Sequence, residues 1–408
     1  MNNQSAFLKT EKKMIVKVFT WSCILFFIVA SQGCKLPYDP PPIASPGSYL
    51  VVEGMINSGT DSTFITLSRT VPLSSGNTHK PELGAQVVVE GDDNSKYLLM
   101  DFGKGKYATP ALLLDKTHKY RLRITTSNNE SYLSSYEAVL NNPPIDSIGY
   151  TVPDYNTVKI HVNTHDPANV VNYYRWDYAE TWKFHSPYES AFVTNGREIV
   201  RRTPAQQVYH CFGRDSSSTI ILGSSAQLTQ RVIHQKPIVP LLANTEKLQE
   251  KYSIEVNQYA LSKDAYNFWV NMKKNTEQLG SIFDAQPSTI NGNIQCLSTP
   301  SKPVIGFIGV SNVQRKRIFI TREQLPRDLN YFTYPYTCKI DTLLFNYQSP
   351  NGGPAVNEVA GRLIPLGSQF IPLDQLIDKS GIIGYTASSQ VCASCTVRGT
   401  TKQPPFWQ

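Results

Sequence analysis

The chain has 408 residues and a formal net charge of +7, from 39 Lys and Arg against 32 Asp and Glu. Both signs are scattered, and compact basic runs such as Arg201-Arg202 and Arg315-Lys316-Arg317 are short, so the charge gives no nucleic-acid patch. Abundant Tyr, Val, Ile and Thr with many Pro and Asn favour strands and turns, and the length suffices for two domains.

At the amino terminus, Lys9, Lys12, Lys13 and Lys17 precede an apolar run from Val18 to Ala30. That run is too short to span a bilayer comfortably and has no stop-transfer flank, so it reads as the apolar region of an export signal. Ser31-Gln32-Gly33-Cys34 follows; small residues before a cysteine fit a lipoprotein signal peptidase, although Ser31 stands where Leu or Val is commoner, and an ordinary signal peptide or an N-terminal membrane anchor is the alternative. Residues 1–33 are therefore expected to be a lipoprotein signal peptide, starting at Met1 or Met14, and Cys34 to carry the lipid. Two or three acyl chains on that cysteine anchor a protein firmly. The segment holds four Lys and one Glu (Glu11), so the chain beyond it carries about +4. Residues 34–46, with Pro37, Pro40, Pro41 and Pro42, read as a stiff extended tether.

From 47 to 142 short strands recur with turn residues between them. Tyr49 to Ile56, Thr63 to Ser68, Ala85 to Glu90, Tyr97 to Met100, Tyr120 to Thr125 and Tyr132 to Val139 are each expected to be strands. Gly91-Asp92-Asp93-Asn94 and Gly103-Lys104-Gly105 mark turns; the latter lacks the spacing and the following helix of a phosphate loop. The pattern predicts a β-sandwich of the immunoglobulin-like type. Asn141-Asn142-Pro143-Pro144 punctuates the chain and sets the expected domain boundary.

Residues 143–408 read as a larger β-rich domain. Strands are expected at Thr157 to Val162, Asn172 to Trp182, Tyr252 to Tyr259, Val304 to Val310 and Arg317 to Thr321, with a short helical turn near Leu373 to Ile377. One amphipathic helix stands out at residues 262–279. Ser262 can cap it, Asp264 suits its first turn, Ala265, Phe268, Trp269, Met272, Thr276 and Leu279 share one face, and Gly280 can stop it. The predicted fold class is thus mainly β, with a sandwich followed by a larger β-rich domain carrying one packed helix.

Tyr174, Trp176, Tyr178 and Trp182 recur along one expected strand. They are either sandwich core or, with Tyr174, Trp176 and Trp182 exposed, a stacking platform for a peptide or glycan. Beyond Cys23 and Cys34, the cysteines are Cys211, Cys296, Cys338, Cys392 and Cys395. Export predicts disulfides, and five cysteines allow two bridges and one spare thiol in a pairing that spacing does not decide. Cys392-Ala393-Ser394-Cys395 has the spacing of a redox pair but lies near the chain end before Pro404-Pro405, and no second pair completes a zinc site.

No catalytic signature, metal site or cofactor loop is legible. Asp166 and Glu180 form a conceivable carboxylate pair, joined by His185 in an exported hydrolase, but turn and strand roles suit them better. His210 beside Cys211 cannot act as a dyad on a strand, where neighbours face opposite sides.

Taken together, Tyr49 to Gly54, Leu67 to Thr70, Asp166-Pro167 through Trp176, Tyr252 to Ile254, Ala265 to Trp269, Gly280 to Asp284, Gly292 to Ile294, Cys392 to Cys395 and Phe406-Trp407 resemble domain-of-unknown-function family 4249, lipoproteins of Bacteroidetes. The resemblance implies no assigned activity and no catalytic residue. It implies an outer-membrane or surface lipoprotein of the kind that often accompanies TonB-dependent transporters. Gly84 to Val89 and Gly105 to Tyr107 are also similar to carboxypeptidase-regulatory-like sandwiches found beside such transporters. The resulting expectation is a lipid-anchored outer-membrane binding or accessory module that docks on such a transporter or captures a peptide or glycan for it; with Asp39 the one acid near Lys35 after the lipidated cysteine, the cell surface and the periplasmic face both stay open, the surface favoured. The alternatives are a structural envelope protein and, more remotely, the hydrolase.

Overall fold

Alternation along the first strands decides which residues face inward. In the computed structural model, which describes residues 48–71, 79–277 and 292–407, strand β1 (Leu50–Asn57) buries Leu50, Val52 and Ile56 and turns Val51, Glu53 and Met55 outward. The expected signal, Cys34 and the proline tether lie outside the described residues, as do Leu279 and the helix stop at Gly280. Strands β2 (Thr63–Arg69), β3 (Lys80–Pro81), β4 (Gln86–Gly91), β5 (Lys96–Asp101), β6 (Lys106–Thr109), β7 (Lys119–Thr125), β8 (Ser131–Ser134) and β9 (Glu137–Ala138) follow. They curl, in the order β8-β7-β4-β5-β6-β2-β1, around one core that includes Ile65, Leu67, Val87, Val89, Tyr107, Leu122, Ile124 and Tyr132.

A second core lies between two further sheets. One is β10 (Ile145–Asp154), β11 (Thr157–His165) and β17 (Val232–Leu242). The other is β15 (His210–Ser216), β12 (Tyr173–His185), β18 (Lys251–Leu261) and β22 (Gln314–Thr321), with β16 (Ile221–Ser224) also paired to β12. Val158, Ile160 and Val162 of the first meet Tyr174, Trp176, Ile254 and Val256 of the second. A ribbon of β13 (Phe192–Thr194) and β14 (Ile199–Arg201) adjoins a small C-terminal sheet, β23 (Asp341–Leu344), β25 (Gly381–Ser389) and β24 (Phe370–Asp378).

The protein is mainly β, as expected, with the amphipathic helix α1 at Lys263–Glu277. Among the described residues it is accompanied by two short α-helices, α2 (Glu358–Arg362) and α3 (Gln390–Ala393). Two local expectations fail: the expected strand Val304 to Val310 is strand only at Val304–Ile305 and Val310–Ser311, and Leu373 to Ile377 belongs to β24. Register shifts in the β24–β25 pair break the alternation there, so Leu373, Leu376 and Ile377 imitate helical spacing.

After α1 the chain returns to the first sandwich, crossing the Asn141–Pro144 junction a second time. Strand β19 (Ile294–Cys296) pairs antiparallel with β8, while β20 (Val304–Ile305) and β21 (Val310–Ser311) pair parallel with β1. One segment thereby covers both edge strands, whose backbone groups would otherwise be free to pair with another chain. Close packing makes this possible only without side chains at two points. A Cβ at Gly292 would sit 1.6 Å from the Gly306 carbonyl oxygen, and one at Gly306, where φ is +148°, 2.3 Å from the Val52 oxygen. Asn293 fastens the segment: its side chain donates to Ile308 O and Glu137 Oε1 and accepts from Ile308 N. Farther along, Lys302 reaches Glu130, which also accepts from Arg69 and Tyr132.

The two sandwiches share a buried polar joint. Gln258 of β18 is fully buried; its Oε1 accepts from Trp176 Nε1 at 2.9 Å, and its Nε2 donates to Pro143 O at 2.8 Å, with Asn142 Oδ1 and Thr164 Oγ1 each at 3.2 Å. Asn142 in turn donates to the Gln258 and Asn312 carbonyls. Ser48–Gln408 consequently form one compact unit.

Two outcomes follow from these contacts. Gln258→Leu leaves the buried Trp176 indole N–H, the Pro143 carbonyl and Asn142 Oδ1 without the side chain that pairs them, and should cost about 2–4 kcal/mol in chemical denaturation. At Glu130, hydrogen bonding to Lys302 foremost, then to Tyr132 and Arg69, outweighs burial and holds the carboxyl down at about 2, against an ordinary 4.5. A lowered carboxyl stabilises the fold above its unfolded value and loses that contribution as pH falls. The stability gap between wild type and Glu130→Gln should therefore be full above about pH 4.5 and close toward about pH 2, as read by denaturation midpoints across that window.

Candidate functional site

On β12 the even-numbered residues Tyr174 to Phe184 share one face. Tyr174 and Trp176 are 0% and 1% exposed, stacked at 5.6 Å, and packed against the facing sheet. They are therefore core, and of the expected platform of Tyr174, Trp176 and Trp182 only Trp182 reaches the surface. Trp182 is half-buried over Gly213, where a Cβ would meet its ring at 2.2 Å, and Lys247 sits 5.1 Å from its ring centroid.

The conceivable hydrolase residues are each committed elsewhere. Asp166 accepts from the backbone N–H groups of Ala168, Val170 and Val171 and so shapes the loop before β12. Glu180 is buried and accepts from Tyr252 Oη at 2.6 Å and Lys247 Nζ at 2.5 Å. Burial, and then the Glu180 charge, push the Tyr252 hydroxyl far above its ordinary range. His185 contacts Ser186 O, Gln249 and Tyr334. His210 pairs with Glu250 at 2.9 Å, and its neighbour Cys211 is oxidised. Among the described residues no cluster of His, Cys, Asp and Glu is placed to hold a metal.

Two disulfides form, Cys211–Cys395 and Cys338–Cys392. Cys392 and Cys395 thus take different partners, and the pair with redox spacing is structural. Cys296, expected among the bridge cysteines, is instead an unpaired buried thiol on β19, inside the first sandwich and away from the C-terminal bridges.

What the structure does present is an apolar surface on the outer face of the first sandwich. Registers place Met55, Phe64, Ala108 and Met100 in one row across β1, β2, β6 and β5. Phe64 is 63% exposed and Met100 57%, with Leu98 beside Met100 on the same face of β5 and Phe102 just past its end. Lys96 shares that face of β5, and Lys106 that face of β6. The row runs toward α1. There Ser262 Oγ accepts from Ala265 N, Phe268 packs on Phe307 with ring centroids 5.8 Å apart, and Arg175 lies over the rings of Tyr259 and Trp269 at 4.5 and 4.6 Å. A groove of about 290 Å³ separates Trp269 and Met272 from Val51 and Ile305. Sequence reading missed this face because Phe64-Ile65 and Leu98-Leu99-Met100 are apolar at both parities, and only the register tells which residues point out. Ala108, between Phe64 and Met100 in the row, is buried, so the exposed apolar side chains stand on either side of it; exposed apolar residues clustered on one face mark interaction sites.

The architecture defines a β-sandwich protein closed by a returning segment and stapled by C-terminal disulfides. The chain belongs to the family described as a domain of unknown function, DUF4249, whose model matches residues 35–317. The Cys392–Cys395 and Phe406-Trp407 markers lie beyond that match. No curated protein matches the chain. Among solved structures, a segment of two fibronectin type III domains from chicken tenascin is 10% identical, covering 53% of this chain and 92% of that one, with a TM-score of 0.15. The FN1–FN3 domains of chicken CNTN1 are 12% identical, covering 52% and 63%, with a TM-score of 0.19. Among the described residues no helix is long and apolar enough to cross a membrane, which leaves β-barrel spans unaddressed.

Proposed function

We propose that this protein is an outer-membrane lipoprotein, tethered through Cys34 on the cell surface, that docks as an accessory module on a TonB-dependent transporter. The observation that supports the reading best is the exposure of Phe64, Met100 and Leu98 on one outer face of the first sandwich, where the registers align Phe64 and Met100 across Ala108. Burying a side chain such as Phe64 or Met100 against a partner contributes about 1.5–3 kcal/mol each, so a few such anchors suffice for a stable contact. A surface of this type needs no reacting groups, in keeping with the commitments of Asp166, Glu180 and His185 to structural partners. Within this reading a peptide or glycan cargo belongs to the transporter complex rather than to the buried Tyr174 and Trp176.

The test is affinity purification of tagged full-length protein from native membranes, with bound proteins identified by mass spectrometry. Wild type should recover an outer-membrane barrel of the TonB-dependent class. Phe64→Glu combined with Met100→Glu should lower that recovery at least ~tenfold, while Tyr155→Glu, on the exposed β10–β11 turn, should not. Recovery of the bait alone from wild-type membranes would sink the proposal and favour a structural envelope protein.

A further inference from the structure

On the other side of α1, a cavity of about 490 Å³ opens between the helix, β16 and β17. Its wall is apolar at Leu222, Ile238 and Val270, and Tyr266 closes one end. Tyr266 is held there by its contact with Tyr173, ring centroids 4.8 Å apart. The size is that of a pocket for a small organic molecule.

Its charge is unbalanced. Lys236, Lys273 and Lys274 line the cavity against a single carboxylate, Glu277. That carboxylate is already engaged: it pairs with Lys273 at 3.3 Å and accepts from Ile220 N at 2.6 Å. Lys273 also donates to Ile220 O. Lys274 stands exposed at the rim. Lys236 is half-buried and, among the described residues, forms no ion pair. Burial, and then the neighbouring Lys273 ammonium, push the Lys236 amine below its ordinary value. An ammonium that is partly desolvated and faces a like charge is unfavourable until an anion joins it.

We propose that this cavity binds a small amphiphilic carboxylate, its anionic head on Lys236 and Lys273 and its apolar body against Leu222, Ile238 and Tyr266. The structural alternative, Lys236 merely extending its stem over apolar surface toward water, needs no ligand. The cavity shares Glu277 with the groove beside Trp269, and its binding does not depend on docking on the sandwich face.

The two are distinguished by calorimetric titration of the full chain with 4-phenylbutyrate, using 4-phenylbutanol and inorganic phosphate as probes of the two halves of the ligand. Phenylbutyrate should bind, with the alcohol and phosphate each at least ~tenfold weaker. Lys236→Met should weaken phenylbutyrate at least ~tenfold, while Lys236→Arg retains it. Because Lys236→Met removes a repelled, half-buried charge, its melting temperature should equal or exceed that of wild type, so that lost binding is not lost folding. Absence of phenylbutyrate binding, equal binding by Lys236→Met, or phosphate binding as tight as phenylbutyrate would each overturn the proposal.

Discussion

One buried amide, that of Gln258, fixes how the two sandwiches meet. It stands where β12 and β18 pair, opposite Trp176, and in the same place the chain passes from the first sandwich to the second at Asn142-Pro143. Proline at 143 has no N–H, and the amide of Gln258 takes up its carbonyl. The buried indole N–H of Trp176 has no other partner among the described residues, so the glutamine, the tryptophan and the linker satisfy one another or leave several groups unpaired. Such a joint tolerates few geometries, which is why the linker acts here as a rigid corner rather than a flexible tether.

The returning segment depends on that corner. Asn312 and Gln314 contact Asn142 just before β22 rejoins the second sandwich, so the same joint positions β20 and β21 on the edge of β1. Gly292, Asn293 and Gly306 then let one short stretch close both edges of the first sandwich. The C-terminal tail acts similarly on the second. Trp407 packs its ring against Phe212 and Phe319, Arg317 lies over Phe406, and the Cys211–Cys395 bridge joins β15 to the last turn. With both edge strands of the first sandwich covered, the exposed apolar side chains of Phe64, Leu98 and Met100 are a surface the fold itself does not use.

Much of this was legible in the chain. Period-two alternation located β1, β2, β4, β7, β11 and β12, and Ser262 with the Ala265–Phe268–Trp269 spacing located α1 to within a residue at its start. The disulfide count was also legible, because it follows from chemistry rather than place. What failed were questions of partner. A stripe at Tyr174 and Trp176 is the same in sequence whether it faces water or a second sheet, and only the facing sheet β10-β11-β17 settles it. Cys296 could not be told from the bridge cysteines, because its isolation results from the return of β19 to β8. Strand β24 looked helical since its register shifts break the alternation that marks a strand. The α1 groove and the Lys236 cavity arise between segments far apart in the chain, and no local pattern announces either.

The account rests on the outer face of the first sandwich being the surface that meets a partner. Site-specific photo-crosslinking in intact cells tests this most directly, with the reactive side chain placed at Phe64 or Met100 on that face and at Tyr155 as a remote exposed control. The account predicts crosslinks from the first two positions to one outer-membrane barrel and none from the third. Equal yields at all three positions, or crosslinks from Tyr155 alone, would contradict it.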